Sequence, residues 1–259
     1  EEVDDWLATG IVEEVPLEQC DQPGHYLPHR AVIKETSDTT KVRPVFDASS
    51  KPKGGTSLND CLEKGQNLLE LIPNIIVGFR LNRIGVISDI EKAFLQISVK
   101  PEERNFLRFL WWEKGKNKIK KFRHCRVVFG VSSSPFLLAA TLNQLLYDVE
   151  DSKKEVAQFL LKSLYVDNCV TSVSSTTRLH SFIQDAVQLM NAGKFNLRGW
   201  IWNEEKESPA HVSQAKNVPV LGLLWDVKKD ELSLDLRELP VFEDCWRCIR
   251  RSCYKKRGS

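Results

Sequence analysis

The sequence lacks any long apolar run, although 42% of its 259 residues are hydrophobic. No stretch approaches the roughly 20 consecutive apolar residues that a bilayer-spanning helix needs. Residues 1–5, Glu-Glu-Val-Asp-Asp, also lack the basic and apolar character of a secretory signal peptide. We therefore expect an intracellular, cytoplasmic protein with no membrane segment.

The sequence offers little support for a disulfide framework. Its seven cysteines are odd in number and scattered, which favours free thiols in a reducing compartment. Cys245 and Cys248 have the spacing of zinc ligands, and Cys253 follows them, but no fourth ligand stands at a suitable distance. The C-terminal cysteines therefore predict no zinc site.

Net charge is also small, at +2, so overall charge does not attract the chain to nucleic acid. The charge is nevertheless uneven, because residues 1–18 are acidic and a basic run lies in the middle of the chain. That run consists of Lys114, Lys116, Lys118, Lys120, Lys121, Arg123 and Arg126. A solvated surface and a surface for phosphates both fit it.

Two apolar, strand-like segments each contain an aspartate: Asp89 within residues 86–94 and Asp167 within residues 164–170. A carboxylate on a hydrophobic strand is costly to bury unless a partner compensates it, and a divalent metal can do so. Because 78 residues separate the two, only a folded sheet brings them together. Each also has a simpler interpretation, since Asp89 can cap a turn and Asp167-Asn168 suits a tight hairpin.

These segments resemble the two catalytic motifs of reverse transcriptases, with Phe94 completing the first and Tyr165-Val166-Asp167-Asn168 forming the second. Residues 26–34, 41–49, 133–141 and 195–198 resemble further motifs of the BEL/Pao group of LTR retrotransposon polymerases. The resemblance runs in order over residues 1–235. It departs from the family at Asn168, where a second aspartate is usual.

The resemblance implies an α+β fold, in which fingers and palm of a right-hand polymerase alternate and helices back a mostly antiparallel palm sheet. It assigns residues 1–88 to the fingers, 89–104 to the palm with its first catalytic strand, and 105–130 to a second part of the fingers. Residues 131–225 would complete the palm, including the Tyr-Val-Asp-Asn hairpin and a segment like a primer grip. Residues 226–259 would be a truncated or divergent basic tail, as in a fragment of a longer polymerase.

The resemblance also assigns roles to individual residues. Asp89, Asp167 and Asn168 occupy the catalytic positions, and Asp89, Asp167 and the Ile90 carbonyl would hold the metal. Nucleotide contacts fall on Lys34, Arg43, Phe94 (the steric gate), Phe129 and Gly130, and a primer grip on Leu221 and Gly222.

The residues themselves allow simpler interpretations of these positions. Lys34 and Arg43 can be an exposed hairpin pair, and Phe94 an ordinary core residue. Phe129 and Gly130 can form a turn, and residues 221–222 a plain edge hairpin.

An RNA-directed DNA polymerase is the function implied, with Mg²⁺ or Mn²⁺ as cofactor. Its partners would be an RNA template, a DNA primer, deoxynucleoside triphosphates (dNTPs) and the RNA–DNA hybrid, either in the cytoplasm or in retrotransposon particles. The alternatives are a catalytically inactive remnant that binds nucleic acid and a folded remnant with no function.

Local patterns predict the main elements. We expect strands at 26–33, 42–46, 86–90, 106–112, 119–128, 219–225 and 232–236, and a strand, turn and strand centred on Asp167-Asn168. Helices are predicted at 67–72, ending near Pro73, and at 134–146, 156–163 and 179–192. The interleaving of helices with paired strands favours a sheet covered on one face.

Overall fold

A computed structural model describes residues 2–33, 42–112, 118–203 and 217–234. Its helices are α1 (Glu2–Ala8), α2 (Leu58–Cys61), α3 (Ile72–Arg80), α4 (Ser134–Tyr147), α5 (Lys154–Ser163) and α6 (Thr176–Ala192). Its strands are β1 (Val12–Glu14), β2 (His29–Ile33), β3 (Val42–Phe46), β4 (Ile84–Ile90), β5 (Arg108–Trp112), β6 (Ile119–His124), β7 (Leu164–Tyr165), β8 (Asn168–Val173), β9 (Leu197–Trp202), β10 (Val218–Val220), β11 (Leu223–Asp226) and β12 (Glu231–Leu234). The predicted α+β class with antiparallel pairing is confirmed.

The central sheet has four strands in the order β7-β8-β4-β9, and all its pairs are antiparallel. Side chains alternate between the two faces of a strand, so Val86 and Ile90 of β4 face one side. They join an apolar cluster with α4, α5 and α6, which includes Leu138, Leu160 and Phe182. The three helices therefore cover one face of this sheet, as predicted.

The opposite face is covered over part of its area, which corrects the expectation of a sheet covered on one face. Ile87 of β4 and Val170 of β8 pack here against Phe79 of α3 and Trp225 of β11. Trp225 belongs to a small antiparallel sheet in the order β10-β11-β12. The sequence pattern of short strands near residue 220 gave no indication of where that sheet would dock.

The N-terminal sheet has the order β1-β6-β5, and the β2–β3 hairpin lies beside it. Its apolar cluster combines Phe46, Phe109 and Phe122 with Val3 of α1 and Leu58 of α2. Strand β5 begins at Arg108, because residues Pro101–Leu107 form 3₁₀ turns instead of the first part of a strand. Strand β6 ends at His124, four residues before the predicted end.

The helix predicted at residues 67–72 is wrong. Residues 63–71 are irregular, and α3 begins at Ile72 with Pro73 in its first turn. Proline ends a helix when it stands in the interior, but in the first turn its missing N–H has no partner to lose. Four elements, α1, α2, β1 and β9, had no counterpart among the sequence predictions.

Several predictions fall outside the described residues. These are the polar turn at 35–40, Lys34, Lys114 and Lys116 of the basic run, and the segment with Cys245 and Cys248. In the parts of the chain that the structure describes, no helix is long and apolar enough to cross a bilayer.

Candidate active site

Asp89 lies on β4 at the point where the second face of the central sheet becomes exposed. Gly85, Ile87 and Asp89 share this face because they alternate along the strand. A side chain at Gly85 would collide with Phe79, since an ideal Cβ lies 2.9 Å from its ring. Ile87 is buried, whereas the Asp89 side chain is about half exposed. The cover of this face therefore ends at Asp89.

Asp167 lies in the two-residue turn of the β7–β8 hairpin. Tyr165 pairs with Asn168, so Val166 and Asp167 form the turn and Asn168 begins β8. The predicted centre of the turn is thus wrong by one residue. Val166 has a φ of 56°, which is unfavourable for a β-branched residue. The Ile90 N–H donates to the Asp167 carbonyl at 2.7 Å and ties this turn to β4.

The hairpin brings the two aspartates to one end of the sheet. Asp89 pairs directly with Asn168 across β4 and β8, so their side chains share a face. Burial raises the pKa of the Asp167 carboxyl; a hydrogen bond from its own backbone N–H opposes this, and the negative charge of Asp89 raises the pKa further. The folded sheet therefore brings together two aspartates that stand 78 positions apart in the sequence.

Asn168 interacts with Asp167 through a side-chain hydrogen bond. Its Nδ2 donates to the Asp167 Oδ1 over 3.0 Å. An aspartate here could not donate this bond in its ionised form, and it would add a third negative charge. Asn168 therefore orients the Asp167 carboxylate and leaves the site less acidic than a pair of adjacent aspartates would.

The two carboxylates suit a divalent cation. Carboxylate oxygens are preferred ligands of Mg²⁺, and a cation would offset the burial and, to a smaller extent, the repulsion from Asp89 that raise the pKa of Asp167. Among the described residues, however, no group of three or more His, Cys, Asp or Glu side chains is placed to hold a metal. The donor set fits a cation that keeps several of its waters.

Phe94 and Phe129, both predicted nucleotide contacts, lie against each other. Their ring centroids are 5.5 Å apart in an edge-to-face arrangement. Phe94 is only 8% exposed and belongs to the helix-backed core, whereas Phe129 is 72% exposed. Gly130 follows with a φ of 94°, a conformation that favours glycine. Phe129 therefore presents an aromatic surface beside a backbone turn.

Asn59 fixes this turn, although the sequence gave no signal for it. Its Nδ2 donates to the Gly130 carbonyl at 3.1 Å and to Ser49 Oγ at 2.9 Å. Its Oδ1 accepts from the Ser132 N–H at 2.7 Å. One amide thus joins segments more than 70 positions apart in the chain, which no local pattern can predict.

Leu221 and Gly222, assigned to a primer grip, form the turn between β10 and β11. Val220 pairs with Leu223, and both turn residues have positive φ, of 48° and 88°. This is the backbone of a tight hairpin turn. Of the two predicted triphosphate ligands, Arg43 lies on β3 in register with Val32, while Lys34 lies outside the described residues.

Arg198 is a second residue whose contribution the sequence did not predict, although it belongs to the motif at residues 195–198. It stands opposite Asp89 on β9, with its Nε 3.4 Å from Asp89 Oδ2. Its Nη1 lies 2.8 Å from Glu91 Oε1. The candidate site therefore contains a cation of the protein itself, next to one of the two carboxylates.

Two solved structures of similar fold are foamy virus protease–reverse transcriptases. The native prototype foamy virus protein matches 90% of this chain with a TM-score of 0.58 and 16% identity. A selenomethionine-labelled CSH mutant of the same protein matches 75% of this chain with a TM-score of 0.54 and 18% identity. The chain spans about a quarter of the length of the native protein and slightly less of the mutant, 25% and 22%.

No protein-family model and no curated protein matches this sequence. At such low identity the structural likeness concerns the fold alone. The chain thus has a fold like that of retroviral reverse transcriptases.

Proposed function

We propose that this chain carries the polymerase centre of an RNA-directed DNA polymerase of the BEL/Pao-like retrotransposon type. The observation that carries the proposal is the meeting of Asp89 and Asp167 at the exposed end of the central sheet. Asp89 pairs with Asn168 across the sheet, and the next residue on β4, Ile90, donates its N–H to the Asp167 carbonyl at 2.7 Å, so the two carboxylates lie at the same end of the sheet. Two interacting carboxylates in an accessible position suit phosphoryl transfer, which depends on charge neutralisation at oxygen.

Asp89 and Asp167 would hold Mg²⁺, with help from the Ile90 carbonyl. Such a cation would lower the pKa of the attacking 3′-hydroxyl and neutralise charge on the phosphoryl oxygens. Asn168 keeps the Asp167 carboxylate oriented through its 3.0 Å hydrogen bond. The backbone bond between Ile90 and Asp167 holds the two strands in register at this point.

The remaining contacts would position the substrates. Phe94 contacts the exposed ring of Phe129 in an edge-to-face arrangement and would limit space at the sugar, which would favour dNTPs over ribonucleotides. Phe129 is exposed enough to stack on a base, since every base offers a π-face. Arg43 and Lys34 would bind triphosphate oxygens, and the turn at Leu221 and Gly222 would support the primer end.

A non-catalytic protein that binds RNA–DNA hybrids is the second candidate, and two observations favour it. Asn168 supplies no negative charge where the polymerase motif has an aspartate, and Arg198 contacts Asp89. Both features weaken the attraction of the site for cations. Such a protein would retain salt-dependent binding of hybrids without extending a primer.

Primer extension separates these candidates. The full chain, Asn168→Asp and Asp89→Ala would each be given an RNA template, a DNA primer, dNTPs and Mg²⁺ or Mn²⁺. We expect slow extension by the native chain and extension faster by about 100-fold or more in Asn168→Asp, because an added negative charge beside the metal site can supply several kcal/mol of charge stabilisation. Asp89→Ala should be inactive.

Extension that persists in Asp89→Ala would contradict the assignment of the centre. If none of the three proteins extends the primer but all retain hybrid binding, the non-catalytic candidate is established instead. Binding is measured by fluorescence anisotropy at several salt concentrations, because loss of phosphate contacts changes the salt dependence.

A further inference from the structure

Arg198 approaches Asp89 because of a bulge in β9. Near the start of β4, Val86 pairs with Trp202 and Ile87 with Ile201. Regular continuation of this register would place Gly199 opposite Asp89. The register shifts by one residue after Ile87, so that Arg198 pairs with Asp89 instead. Since neighbouring residues on a strand face opposite sides, the shift decides whether Arg198 shares a face with Asp89.

Glycine at position 199 makes this bulge feasible. Gly199 has a φ of 63°, which a residue with a side chain rarely adopts. An ideal Cβ at this position would lie 2.7 Å from Asp89 Oδ1. The absence of a side chain therefore leaves room for the Asp89 carboxylate beside the bulge.

Glu91 anchors the guanidinium group independently of Asp89. Arg198 Nη1 lies 2.8 Å from Glu91 Oε1, and Asn196 Nδ2 donates to Glu91 Oε2 at 3.0 Å. The backbone N–H of Glu91 in turn donates to the Asn196 carbonyl at 2.9 Å. Loss of the Asp89 contact would therefore leave Arg198 with a fixed partner.

The Asp89 contact itself is long and exposed. Its atoms are 3.4 Å apart, and each side chain is 48% exposed. Ion pairs of this kind contribute little to stability, because solvent screens them and the side chains lose freedom. The contact is thus easily displaced by a stronger cation.

We propose that Arg198 is a positioning residue that serves as an internal counter-ion of Asp89 and competes with the divalent cation for that carboxylate. While no cation is bound, Arg198 holds the Asp89 carboxylate. Cation binding displaces the guanidinium, which keeps its contact with Glu91. This inference rests on the proposed function, because it concerns the same carboxylate pair.

If Arg198 competes with the cation, the net charge of the site should control how tightly the cation binds. Replacing Arg198 with a neutral residue makes the site more negative by one unit, as Asn168→Asp does. Both changes should therefore strengthen cation binding by the free protein. A distant exposed arginine should have no such effect, because screening limits the range of surface charges to about 10 Å.

Mn²⁺ binding to the full chain tests this without relying on polymerase activity. Bound Mn²⁺ is measured by electron paramagnetic resonance at an ionic strength of about 0.1 M in the native chain, Arg198→Gln, Arg198→Lys and Asp89→Asn. Arg178→Gln is the matched control, because Arg178 is 47% exposed and pairs with Glu155 at 2.6 Å on the helical side of the molecule. Thermal unfolding followed by circular dichroism verifies that each variant folds.

We expect Arg198→Gln to lower the Kd for Mn²⁺ by about tenfold, Arg198→Lys to restore native affinity, and Arg178→Gln to change nothing. Asp89→Asn should abolish the site. Native binding that depends on Asp89 but does not respond to Arg198→Gln would overturn the inference and leave the proposed function intact. An equal gain in Arg178→Gln would also overturn it, and absence of binding in every variant would contradict both proposals.

Discussion

The N-terminal sheet and the central sheet both contain charged side chains, but the two sheets differ in how far these side chains are buried and paired. In the N-terminal sheet, Arg108 and Arg123 stand opposite each other on β5 and β6, and both are buried. In the central sheet, Asp89 and Asp167 are only partly buried and repel each other.

The buried arginines have nearly complete sets of partners. Arg108 donates to the carbonyls of Gln19 and Gln22, at 2.7 and 3.1 Å. Arg123 donates to Glu13 Oε1 at 2.6 Å and to Asn105 Oδ1 at 2.6 Å. These bonds attach residues 17–22 to the sheet. The arginines therefore serve structure, and the buried Arg123 fits neither of the two interpretations of the basic run, a solvated surface or a surface for phosphates.

The carboxylates of the central sheet have incomplete sets of partners. Asp89 has a long contact with Arg198, and Asp167 accepts from the neutral amide of Asn168. Asp167 is partly buried beside the negative charge of Asp89, and a bound cation would relieve both the burial cost of its charge and this repulsion. The comparison therefore separates buried charges that hold the fold from partly exposed charges that are accessible to the proposed cation.

The largest effect on stability should come from Arg108→Met. Removal of the guanidinium leaves backbone carbonyls of residues 19–22 buried without donors, and we expect the free energy of unfolding to fall by about 3 kcal/mol. Urea denaturation measures it, with the exposed Arg30→Met as control. A loss below about 1 kcal/mol would show that Arg108 does not hold this segment.

A second test uses the buried histidine of the N-terminal sheet. The His124 ring lies 4.5 Å from that of Phe46, and neither of its nitrogens has a hydrogen-bond partner among the described residues. Burial, with some repulsion from His29, lowers the pKa of His124 to about 3. Its folded pKa is thus below the unfolded value near 6.5, so the unfolded chain takes up the proton first.

The contribution of His124 to the free energy of unfolding should accordingly be fully present above pH 6.5. It should fall by about 1 kcal/mol per pH unit as the pH drops toward 3. Asp167 has the opposite sign, because its raised pKa favours the folded state as the pH falls through it. Urea denaturation between pH 7 and 4.5 tests the histidine. The slope should be shallower in His124→Leu, and equal slopes would refute the assignment.

The smallest effect on stability should come from Asp89→Asn. The side chain is half exposed, and its removal relieves repulsion, so we expect a change within about 0.5 kcal/mol. The pKa of Asp167 should fall, because the neighbouring negative charge is lost. Carboxyl NMR titration and urea denaturation measure both. A loss of stability as large as that of Arg108→Met would remove the contrast between the sheets.

Much of the fold could be predicted from local patterns. The Asp89 and Asp167 strands, the hairpin at residues 220–223 and helix α6 show apolar periodicity or turn residues that act over a few positions. Pro73 was misinterpreted because proline suits both the end and the first turn of a helix. The one-residue error at the β7–β8 turn has a similar cause, since Val166 adopts a conformation that its type disfavours.

The candidate site was predicted in part. Asp89, Asp167 and Asn168 were singled out correctly as neighbours, and the structure places Asp89 opposite Asn168. Arg198 and Asn59 were missed as contributors, because their partners lie far away in the chain. Arg198 contacts a residue 109 positions earlier, and Asn59 one 73 positions later.

The sequence by itself determined the class of fold, the two acidic strands and the residue types at the candidate centre, because these depend on short-range periodicity and on side-chain chemistry. Only the tertiary structure decided which charges lie beside them. A single-residue bulge at Gly199 places Arg198 opposite Asp89, and burial, with a smaller contribution from the Asp89 charge, raises the pKa of Asp167. Such effects depend on strand register and on solvent exclusion, which exist only once segments remote in sequence have packed together.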